Sequence, residues 1–453
     1  MAGLSSFIWS WPILVLLLGG GLFFLVYSRF IPFKYFGHAI NVLRGKYDDP
    51  NDPGEISHFQ ALASALAATV GMGNISGVAL AIAGGGPGAL FWMWVSAFVG
   101  IATKFFTCTL AVLYRGKDST GQIQGGPMYV IVEGLGKQWK PLAAIFCVAG
   151  MFGCLPIFQA NQLTQVIKEV VLIPNQWATA ESLNANIIMA VLMVALVSLV
   201  IFGGIKRIGT VAARMVPFMV VLYFVSVLLI LLLNYDKLLP TLGLIISDAF
   251  SAKAVLGGAV GAIIIQGAKR AAFSNEAGVG TAPMAHGAAK TTEPVREGLV
   301  AMMGPAIDTL VICTLTAMAI LITGVWEGRS DASGTLEGIT MTALAFGKGL
   351  PYVGQTILVI CVLSFSITSL FSYSYYGGKC MAFLAGVHNK VYYNVFYIAT
   401  IVFGALASVQ AVVSIIEVAF AIMAFPTMIS TLILAPKVMK AAKAYLSKKQ
   451  QPA

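Results

Sequence analysis

The chain has 453 residues, of which 58% are hydrophobic and 10% are charged, and its mean hydropathy is +0.87. Soluble domains carry about 25% charged residues, so this composition excludes a soluble protein and predicts one polytopic membrane domain over residues 1–453. The net charge of +10 does not indicate a nucleic-acid partner, because the basic residues lie in short segments between apolar runs. The six cysteines form no CxxC pair and the four histidines no HExxH motif, so neither a disulfide framework nor a zinc site is indicated.

The apolar runs predict an all-α protein with eleven membrane spans. Several approach or exceed the ~20 residues that cross the hydrocarbon core, which implies tilt or interruption. In chain order the predicted spans are residues 8–28, 58–83, 88–114, 141–168, 186–203, 211–233, 254–283, 297–325, 352–375, 391–408 and 412–435.

The basic residues predict the orientation of these spans. If the N-terminus lies outside, twenty of the 28 lysines and arginines fall in inner segments and five in outer segments. The remaining three, Lys104, Lys269 and Arg270, lie within spans. Because basic loops stay in the cytoplasm, the sequence predicts N-out and C-in.

The spans divide into two sets of five after an extra N-terminal helix at 8–28. Residues 58–233 form the first set and residues 254–435 the second, and an odd number of spans makes the two sets inverted repeats. Each set opens with a glycine-interrupted span, at 58–83 and at 254–283. Paired interruptions in two inverted halves are typical of transporters that work by alternating access around a midplane site.

The first interrupted span has its break in the stretch 67–77, which contains Gly71, Gly73 and Asn74 in an apolar run. A broken helix in hydrocarbon is tolerated where it is buried in protein or lines a cavity. Its free N–H groups bind anions and its free carbonyls bind cations. The alternative is that the small residues only allow two helices to pack closely.

The second interrupted span has two candidate breaks, Ile263–Gly267 and Glu276–Pro283. The first is favoured because it lies ~15–20 Å into the membrane, at the midplane. A break only at the second would leave Lys269 and Arg270 deep in an unbroken helix, which is costly. Glu276 is then expected near a cytoplasmic vestibule, either paired with one of these cations or in a purely structural ion network.

Asp308 is a carboxylate in the middle of span 297–325. Such a residue is a functional candidate by default. Neutralisation of Lys269 or Arg270 is favoured over direct cation binding as its role.

A polar stripe runs along span 141–168. It predicts either a water-filled path or hydrogen bonding between helices. Its members are Gln159, Asn161, Gln162, Thr164 and Gln165.

Hydroxyl groups recur in span 352–375, where Ser364 and Thr368 share a helix face and Ser369 follows. Hydroxyls together with backbone carbonyls suit a hard monovalent cation. The alternative is that they bond the carbonyl one turn back in their own helix.

Three segments resemble the alanine or glycine:cation symporter family. They are GGPGALFWMWVSAFVG at 85–100, GGPMY at 125–129 and FSNEAGVG at 273–280. The resemblance covers essentially the whole chain. It implies sodium-coupled, less often proton-coupled, uptake of alanine or glycine, and a leucine-transporter-like (LeuT) fold of two inverted five-helix repeats plus one extra helix.

Residues 68–74 are similar to the unwound part of the first core helix in leucine-transporter-type proteins. By this resemblance the amides of Gly71 and Gly73 hold the substrate carboxylate. The Thr69 carbonyl and the Asn74 side chain serve the substrate or a first sodium ion. The second sodium ion is then held by Ala67, Val70, Phe365, Thr368 and Ser369.

The same resemblance assigns the substrate amine to carbonyls of Ile263–Gly267, with Gln266 as a side-chain contact. The departure from the leucine-transporter pattern around Lys269 leaves Phe273 or Gly278 as alternative lining residues. The remaining predicted substrate contacts are Met72, Phe158, Gln162 and Ile264, of which Met72, Phe158 and Ile264 limit side-chain size by bulk.

The expected function is therefore a sodium-coupled symporter of alanine and glycine in the cell (plasma or inner) membrane, and not an enzyme. Its expected partners are the amino acid, sodium and the lipid bilayer, with no cofactor beyond the coupling ion and no obligate protein partner. The alternative is a proton-coupled transporter that uses Glu276 or Asp308 as the proton carrier.

Overall fold

The computed structural model describes residues 8–179, 181–251, 259–330 and 338–450, and most of these residues are helical. Two short strands, β1 (Gly116–Lys117) and β2 (Ile123–Gln124), pair antiparallel. The main helices are α1 (Trp11–Tyr27), α2 (Phe36–Leu43), α3 (His58–Thr69), α4 (Met72–Gly85), α5 (Ala89–Leu113), α6 (Lys140–Gly153), α7 (Ile157–Ile167), α8 (Leu183–Ile201), α9 (Gly204–Leu233), α10 (Leu238–Ala249), α11 (Ala259–Asn275), α12 (Ala282–His286), α13 (Pro294–Ile322), α14 (Ile339–Gly349), α15 (Gly354–Ala385), α16 (Lys390–Leu406) and α17 (Val409–Gln450). Shorter helical turns are Ile31–Lys34, Pro127–Tyr129, Val130–Leu135, Lys137–Trp139, Lys168–Leu172, Tyr235–Lys237, Val325–Ser330 and Val387–Asn389.

Seven of the described helical segments are long and apolar enough to cross a membrane, and α6 and α7 count together as one of them. The number becomes eight if α3 and α4, which are bent by 40° at their junction, form one crossing. All eleven predicted spans overlap a helix or a broken helix, although residues 254–258 lie outside the described part of the chain. The helical membrane fold is confirmed, while the number of crossings and the orientation stay predictions.

Burial separates an inner group of helices from an outer one. Nearly all of α5 is buried, because α11 and α13 pack against it. In contrast, α8 and α9 expose large apolar side chains such as Leu199 and Phe218. Apolar side chains with no protein cover are what hydrocarbon solvates, so α8 and α9 form lipid-facing surface.

The helices α4 and α11 run side by side in opposite directions. A Cβ atom on Gly84 would lie 3.0 Å from Gln266 Nε2, and one on Gly73 would lie 3.5 Å from the Phe273 carbonyl oxygen. The first turn of α4 therefore meets the last turn of α11, and the two helix breaks face each other.

A buried ion cluster fixes α11 against α17. Lys269 Nζ lies 2.7 Å from Glu417 Oε2, and Arg270 reaches Glu417 Oε1 at 3.3 Å. The Trp9 indole N–H donates to the Glu417 backbone carbonyl at 2.9 Å, which ties the N-terminal segment to the same point. The cluster shows how two cations are accommodated in an unbroken membrane helix.

Replacing Glu417 with alanine is expected to destabilise the fold strongly. The change leaves Lys269 and Arg270 without this carboxylate in a buried setting, and breaking a buried pair from one side costs about 3–5 kcal/mol. Thermal unfolding of the purified protein in detergent is expected to show a clearly lower Tm. The control is Glu327→Ala, at an exposed position. A Tm of Glu417→Ala equal to that of the control would contradict this account.

Candidate functional site

The first helix break lies where the sequence predicts it. Only Val70 and Gly71 separate α3 from α4, and neither has helical backbone angles. The Gly71 N–H donates to Asn74 Oδ1 at 2.9 Å, so the Asn74 side chain caps α4. The Gly71 amide, predicted to hold a carboxylate, is thus engaged by Asn74. The Asn74 N–H donates to the Gly71 carbonyl at 3.1 Å, which leaves the N–H groups of Met72 and Gly73, the first two residues of α4, as the groups suited to an anion.

Helix α15 approaches this break so closely that glycine is required at position 71. A Cβ atom there would lie 2.5 Å from Ser369 Oγ. Ser369 Oγ in turn donates to the carbonyl of Ala67 at 2.9 Å. A hydroxyl and a free helix-end carbonyl therefore meet beside the break, which is a pairing of oxygen ligands that suits sodium.

Thr368 precedes Ser369 on α15, and its hydroxyl lies 3.6 Å from Met219 Sδ of α9. Its Oγ1 donates to the carbonyls of Ser364 and Phe365, both at 3.0 Å. The bond to the carbonyl one turn back is the alternative that the sequence allowed, and it is present together with the Ser369 link to α3. Most of the residues predicted to hold the second sodium ion thus lie together, and all five are buried.

The prediction that α11 breaks at Ile263–Gly267 is wrong. The helix runs unbroken to Asn275, and the chain turns at Glu276, Gly278 and Gly280, which all have positive φ. The argument against a break only at Glu276–Pro283 is the cost of Lys269 and Arg270 in an unbroken helix. The ion cluster with Glu417 offsets that cost. The expected pairing of these cations with Glu276 or Asp308 is wrong for the same reason.

The residues predicted to receive the substrate amine lie away from both breaks. Gln266 Nε2 donates to the Leu80 carbonyl at 3.4 Å, near the far end of α4. Gly267 packs against α5, where a Cβ atom would lie 2.6 Å from the Ala89 carbonyl oxygen. Ile263 and Ile264 are half-buried on the preceding turn. Phe273, the alternative lining residue, is the one that lies at the site.

A second oxygen cluster forms where α4, α11 and α13 meet. Asn74 Nδ2 donates to Asp308 Oδ1 at 2.8 Å and to Ser274 Oγ at 3.2 Å. Ser274 Oγ donates to Asp308 Oδ2 at 2.5 Å, and Thr309 Oγ1 donates to the same atom at 2.9 Å. Asp308 is fully buried and lies in a π-helical stretch, Ala306–Cys313, of α13. The carboxylate is therefore organised around Asn74, the residue that caps the first break.

Two aromatic rings pack beside the glycine face of α4. Phe158 and Phe273 stand edge to face with ring centroids 5.0 Å apart. Phe273 Cδ1 would lie 3.6 Å from a Cβ atom on Gly73 and 3.8 Å from one on Gly77. Met72 is also fully buried beside the break. These side chains pack directly beside the first turn of α4.

The polar stripe of α7 bonds neighbouring helices. Gln162 Oε1 accepts hydrogen bonds from the Ser76 hydroxyl and, at 3.3 Å, from the Ile339 N–H. Gln165 Nε2 donates to Thr340 Oγ1 at 3.1 Å, so α14 is tied to α7 at two points. Gln162, which is predicted to bind substrate, thus joins α4, α7 and the start of α14 near the first break. For these glutamines the alternative of hydrogen bonding between helices is the one observed.

At the opposite end of α3, a buried cluster joins both interrupted helices. The Glu297 carboxylate forms a hydrogen bond with His58, the first residue of α3. It forms another with His286, the last residue of α12, at 2.5 Å. The Arg115 guanidinium donates to the carbonyls of Gly287 at 2.9 Å and Thr291 at 3.0 Å. The Glu297 carboxylate thus ties the start of α3 and the end of α12 to α13.

A family model described as the sodium:alanine symporter family matches residues 1–453. The chain belongs to this family. The resemblance found in the sequence is confirmed, and the sodium:alanine symporter family and its named members are transporters rather than enzymes.

Relatives of this sodium:alanine symporter family member include proteins with functional names. It is 38% identical to the sodium/alanine symporter AgcS of Methanococcus maripaludis, over 97% of this chain and 95% of AgcS. It is 35% identical to the probable sodium/glutamine symporter GlnT of Bacillus subtilis, over 98% of this chain and 90% of GlnT.

Among solved structures, MhsT in complex with L-phenylalanine has a similar fold. The TM-score is 0.57 with 14% sequence identity, and the match covers 85% of this chain and 98% of MhsT. At that identity the likeness shows the fold alone, and it supports the predicted leucine-transporter-like architecture for the family member.

Sequence reasoning underrated two parts of the family member's site. Ser274 is not among the predicted site residues, and Asp308 is predicted to neutralise Lys269 or Arg270, yet both bond Asn74. The available signal was the intramembrane carboxylate itself, which is functional by default. Thr69 Oγ1 donates to the Ala65 carbonyl at 3.1 Å, so this hydroxyl serves its own helix.

Proposed function

We propose that this family member couples sodium entry to the uptake of small neutral amino acids, alanine and glycine, by alternating access. The observation that carries the proposal is the meeting of two helix breaks between two oxygen clusters. One cluster contains Asn74, Ser274 and Asp308, and the other contains Ala67 and Ser369. Broken helices in opposite halves of an inverted repeat are the usual place for substrate and coupling ions.

The substrate is proposed to lie across the two breaks. Its carboxylate fits the first-turn N–H groups of α4 at Gly73, where the helix dipole is positive. Its ammonium group fits the carbonyls at the end of α11, including that of Phe273, where the dipole is negative. The proximity of Gly73 to Phe273 supports this placement, because a single carbon separates the carboxylate from the ammonium group in alanine and glycine.

The aromatic pair supports a preference for small side chains. Phe158 and Phe273 are packed edge to face next to Gly73 and Gly77, and Met72 is buried beside them. One relative is named for alanine and another for glutamine, so the family accepts different sizes. Alanine and glycine are the substrates that this packing accommodates with the least rearrangement.

Sodium is proposed to bind at both oxygen clusters as the transported ion. Asn74 links the cluster around Asp308 to the substrate, because its Oδ1 caps α4 at Gly71 while its Nδ2 contacts Asp308. Ser369 links α15 to α3 through Ala67. Sodium at either cluster then favours the conformer in which the first helix break is arranged to bind substrate. Coupling requires this higher affinity of sodium for the substrate-binding conformer.

The proposed setting is a cell membrane, with eleven crossings, the N-terminus outside and the C-terminus inside. One domain then contains the extra N-terminal helix and two inverted repeats, residues 58–233 and 254–435. The basic C-terminal part of α17, with Lys437, Lys440, Lys443 and Lys448, supports a cytoplasmic C-terminus. No cofactor and no obligate protein partner are proposed.

Thr368→Ala/Ser369→Ala tests the second sodium site. Loss of two hydroxyl ligands is expected to raise the sodium concentration for half-maximal alanine binding at least about tenfold, which is about 1.4 kcal/mol. Binding of labelled alanine to purified protein at a series of sodium concentrations measures this. The control is Ser364→Ala, on the same helix, whose hydroxyl donates to the Ile360 carbonyl. Sodium dependence equal to wild type in the double variant would contradict the assignment.

Proton coupling is the second candidate function, and Glu276 favours it. This carboxylate lies in the second break, is buried, and accepts hydrogen bonds from the hydroxyls of Thr281 and Tyr373. A buried carboxylate at a helix break is suited to carry a proton through the transport cycle. Alanine uptake that persists without sodium and follows an imposed pH gradient would support this candidate.

A further inference from the structure

A buried lysine lies next to the oxygen cluster around Asp308 and has no role in the function proposed above. Lys104 is in the middle of α5 and is 2% exposed. Among the residues that the structure describes, no carboxylate lies within ion-pair distance of its ammonium group. A cation held in a membrane helix without a direct partner is costly and calls for a functional reason.

The packing of α5 places Lys104 between the second break and the π-helical stretch of α13. One turn before it, a Cβ atom on Gly100 would lie 2.9 Å from Ala277 Cβ, in the break itself. Lys104 Nζ would lie 3.1 Å from a Cβ atom on Gly304, one turn before Asp308. The lysine thus spans the gap between the two segments that carry the buried carboxylates.

The carboxylates carried by the two segments that flank Lys104 are those of Glu276 and Asp308. Both are fully buried, and both are hydrogen-bonded mainly by neutral side chains. In their ionised forms the three groups sum to one negative charge. One bound monovalent cation brings the total to zero, and electroneutrality matters in a region from which water is largely excluded.

We propose that Lys104 is a fixed positive charge that leaves this site with one net negative charge, so that a single coupling ion neutralises it. The inference rests on the proposed function, because it assigns that ion to the cluster around Asp308. Lys104 acts as a positioning and charge-balancing group rather than as a ligand. Its repulsion keeps the ion weakly enough bound to leave on the inner side.

Removing the lysine charge is expected to tighten binding of the coupling ion. For Lys104→Met, the sodium concentration for half-maximal alanine binding is expected to fall at least about fivefold, because one nearby like charge is lost in a low-dielectric site. Lys104→Arg keeps the charge and is expected to keep the wild-type value. Lys104→Met/Glu276→Gln restores the charge balance and is expected to return close to the wild-type value.

Lys379→Met is the matched control, because Lys379 is also a buried lysine but donates to the Met284 carbonyl and the Tyr375 hydroxyl. It is expected to leave the half-maximal sodium concentration unchanged. Gel filtration of each variant in detergent reports whether it folds. If Lys104→Met does not fold, Glu276→Gln alone must raise the half-maximal sodium concentration, since it leaves a positive excess.

The outcomes separate this inference from the proposed function. If wild-type alanine binding does not depend on sodium but follows protons, sodium coupling is wrong, and the same variants must then shift the proton dependence in the same direction. The inference is overturned if Lys104→Met folds and shifts neither ion, or if the double variant fails to reverse the shift. A shift in Lys379→Met equal to that in Lys104→Met would also overturn it.

Discussion

Replacing Asp308 with alanine is expected to abolish sodium-driven alanine uptake. The carboxylate accepts hydrogen bonds from Asn74, Ser274 and Thr309, and its loss leaves these buried donors without that partner. The change also removes the negative charge proposed to hold sodium, so sodium affinity is expected to fall roughly 100-fold or more, which is about 2.7 kcal/mol. Uptake of labelled alanine into proteoliposomes measures the effect.

Asp308→Asn separates charge from shape in this prediction. The amide keeps two polar atoms in the same place but removes the negative charge, so weakened sodium dependence with a folded protein is expected. The surface control is Asp236→Ala, at an exposed position that should not change uptake. Wild-type sodium activation in Asp308→Ala would rule out this carboxylate as part of the cation site.

Replacing Gly71 with alanine is expected to cause the other large loss of transport. The added Cβ atom would lie 2.5 Å from Ser369 Oγ, too close for a carbon and an oxygen that are not bonded, so the Ser369 side chain must rotate or the break must shift. Either movement breaks the 2.9 Å bond from Ser369 to the Ala67 carbonyl. We expect folded protein whose sodium-dependent alanine binding is reduced at least about tenfold, because a single cation ligand contributes on that scale.

Gly77→Ala is the matched control on the same helix. There the nearest atoms would lie 3.8 Å and 4.0 Å away, which is ordinary contact, and alanine favours the helix interior. Alanine binding by this variant at the wild-type level is expected. If Gly71→Ala binds alanine as well as Gly77→Ala does, the close approach of α15 to the break has no role in cation binding.

The first break is predictable from sequence because its cause is local. Gly71 and Gly73 weaken the helix where they stand, and Asn74 caps the next helix three residues after Gly71. No distant residue is needed to place this interruption. For the same reason the hydroxyls of Ser364 and Thr368, four residues apart, are recognisable as one face of a helix.

The second break is not predictable in the same way because its position depends on a distant partner. Lys269 and Arg270 are tolerated in an unbroken helix only because Glu417 meets them, and that residue lies on α17. A sequence pattern does not show which carboxylate reaches which cation. The prediction of a break at Ile263–Gly267 rests on the cost of burying Lys269 and Arg270 in an unbroken helix. It fails because it does not include Glu417 as their partner.

The role of Gln162 depends on a contact that the sequence does not show. Spacing places Gln162 on a polar face of α7, and both a substrate contact and a bond between helices fit that spacing. The structure brings the Ile339 N–H and the Ser76 hydroxyl to its side chain. Because these partners come from separate parts of the chain, only the fold decides between the two readings.

The central claim is that an inward sodium gradient drives amino-acid uptake through this protein. The most direct test is labelled alanine uptake into proteoliposomes of the purified full chain, with either sodium or potassium outside and equal pH on both sides. The proposed mechanism predicts accumulation of unmodified alanine above equilibrium with external sodium and only background uptake with potassium. Equal accumulation in potassium would contradict it, and accumulation that follows only an imposed pH gradient would transfer the coupling role to protons.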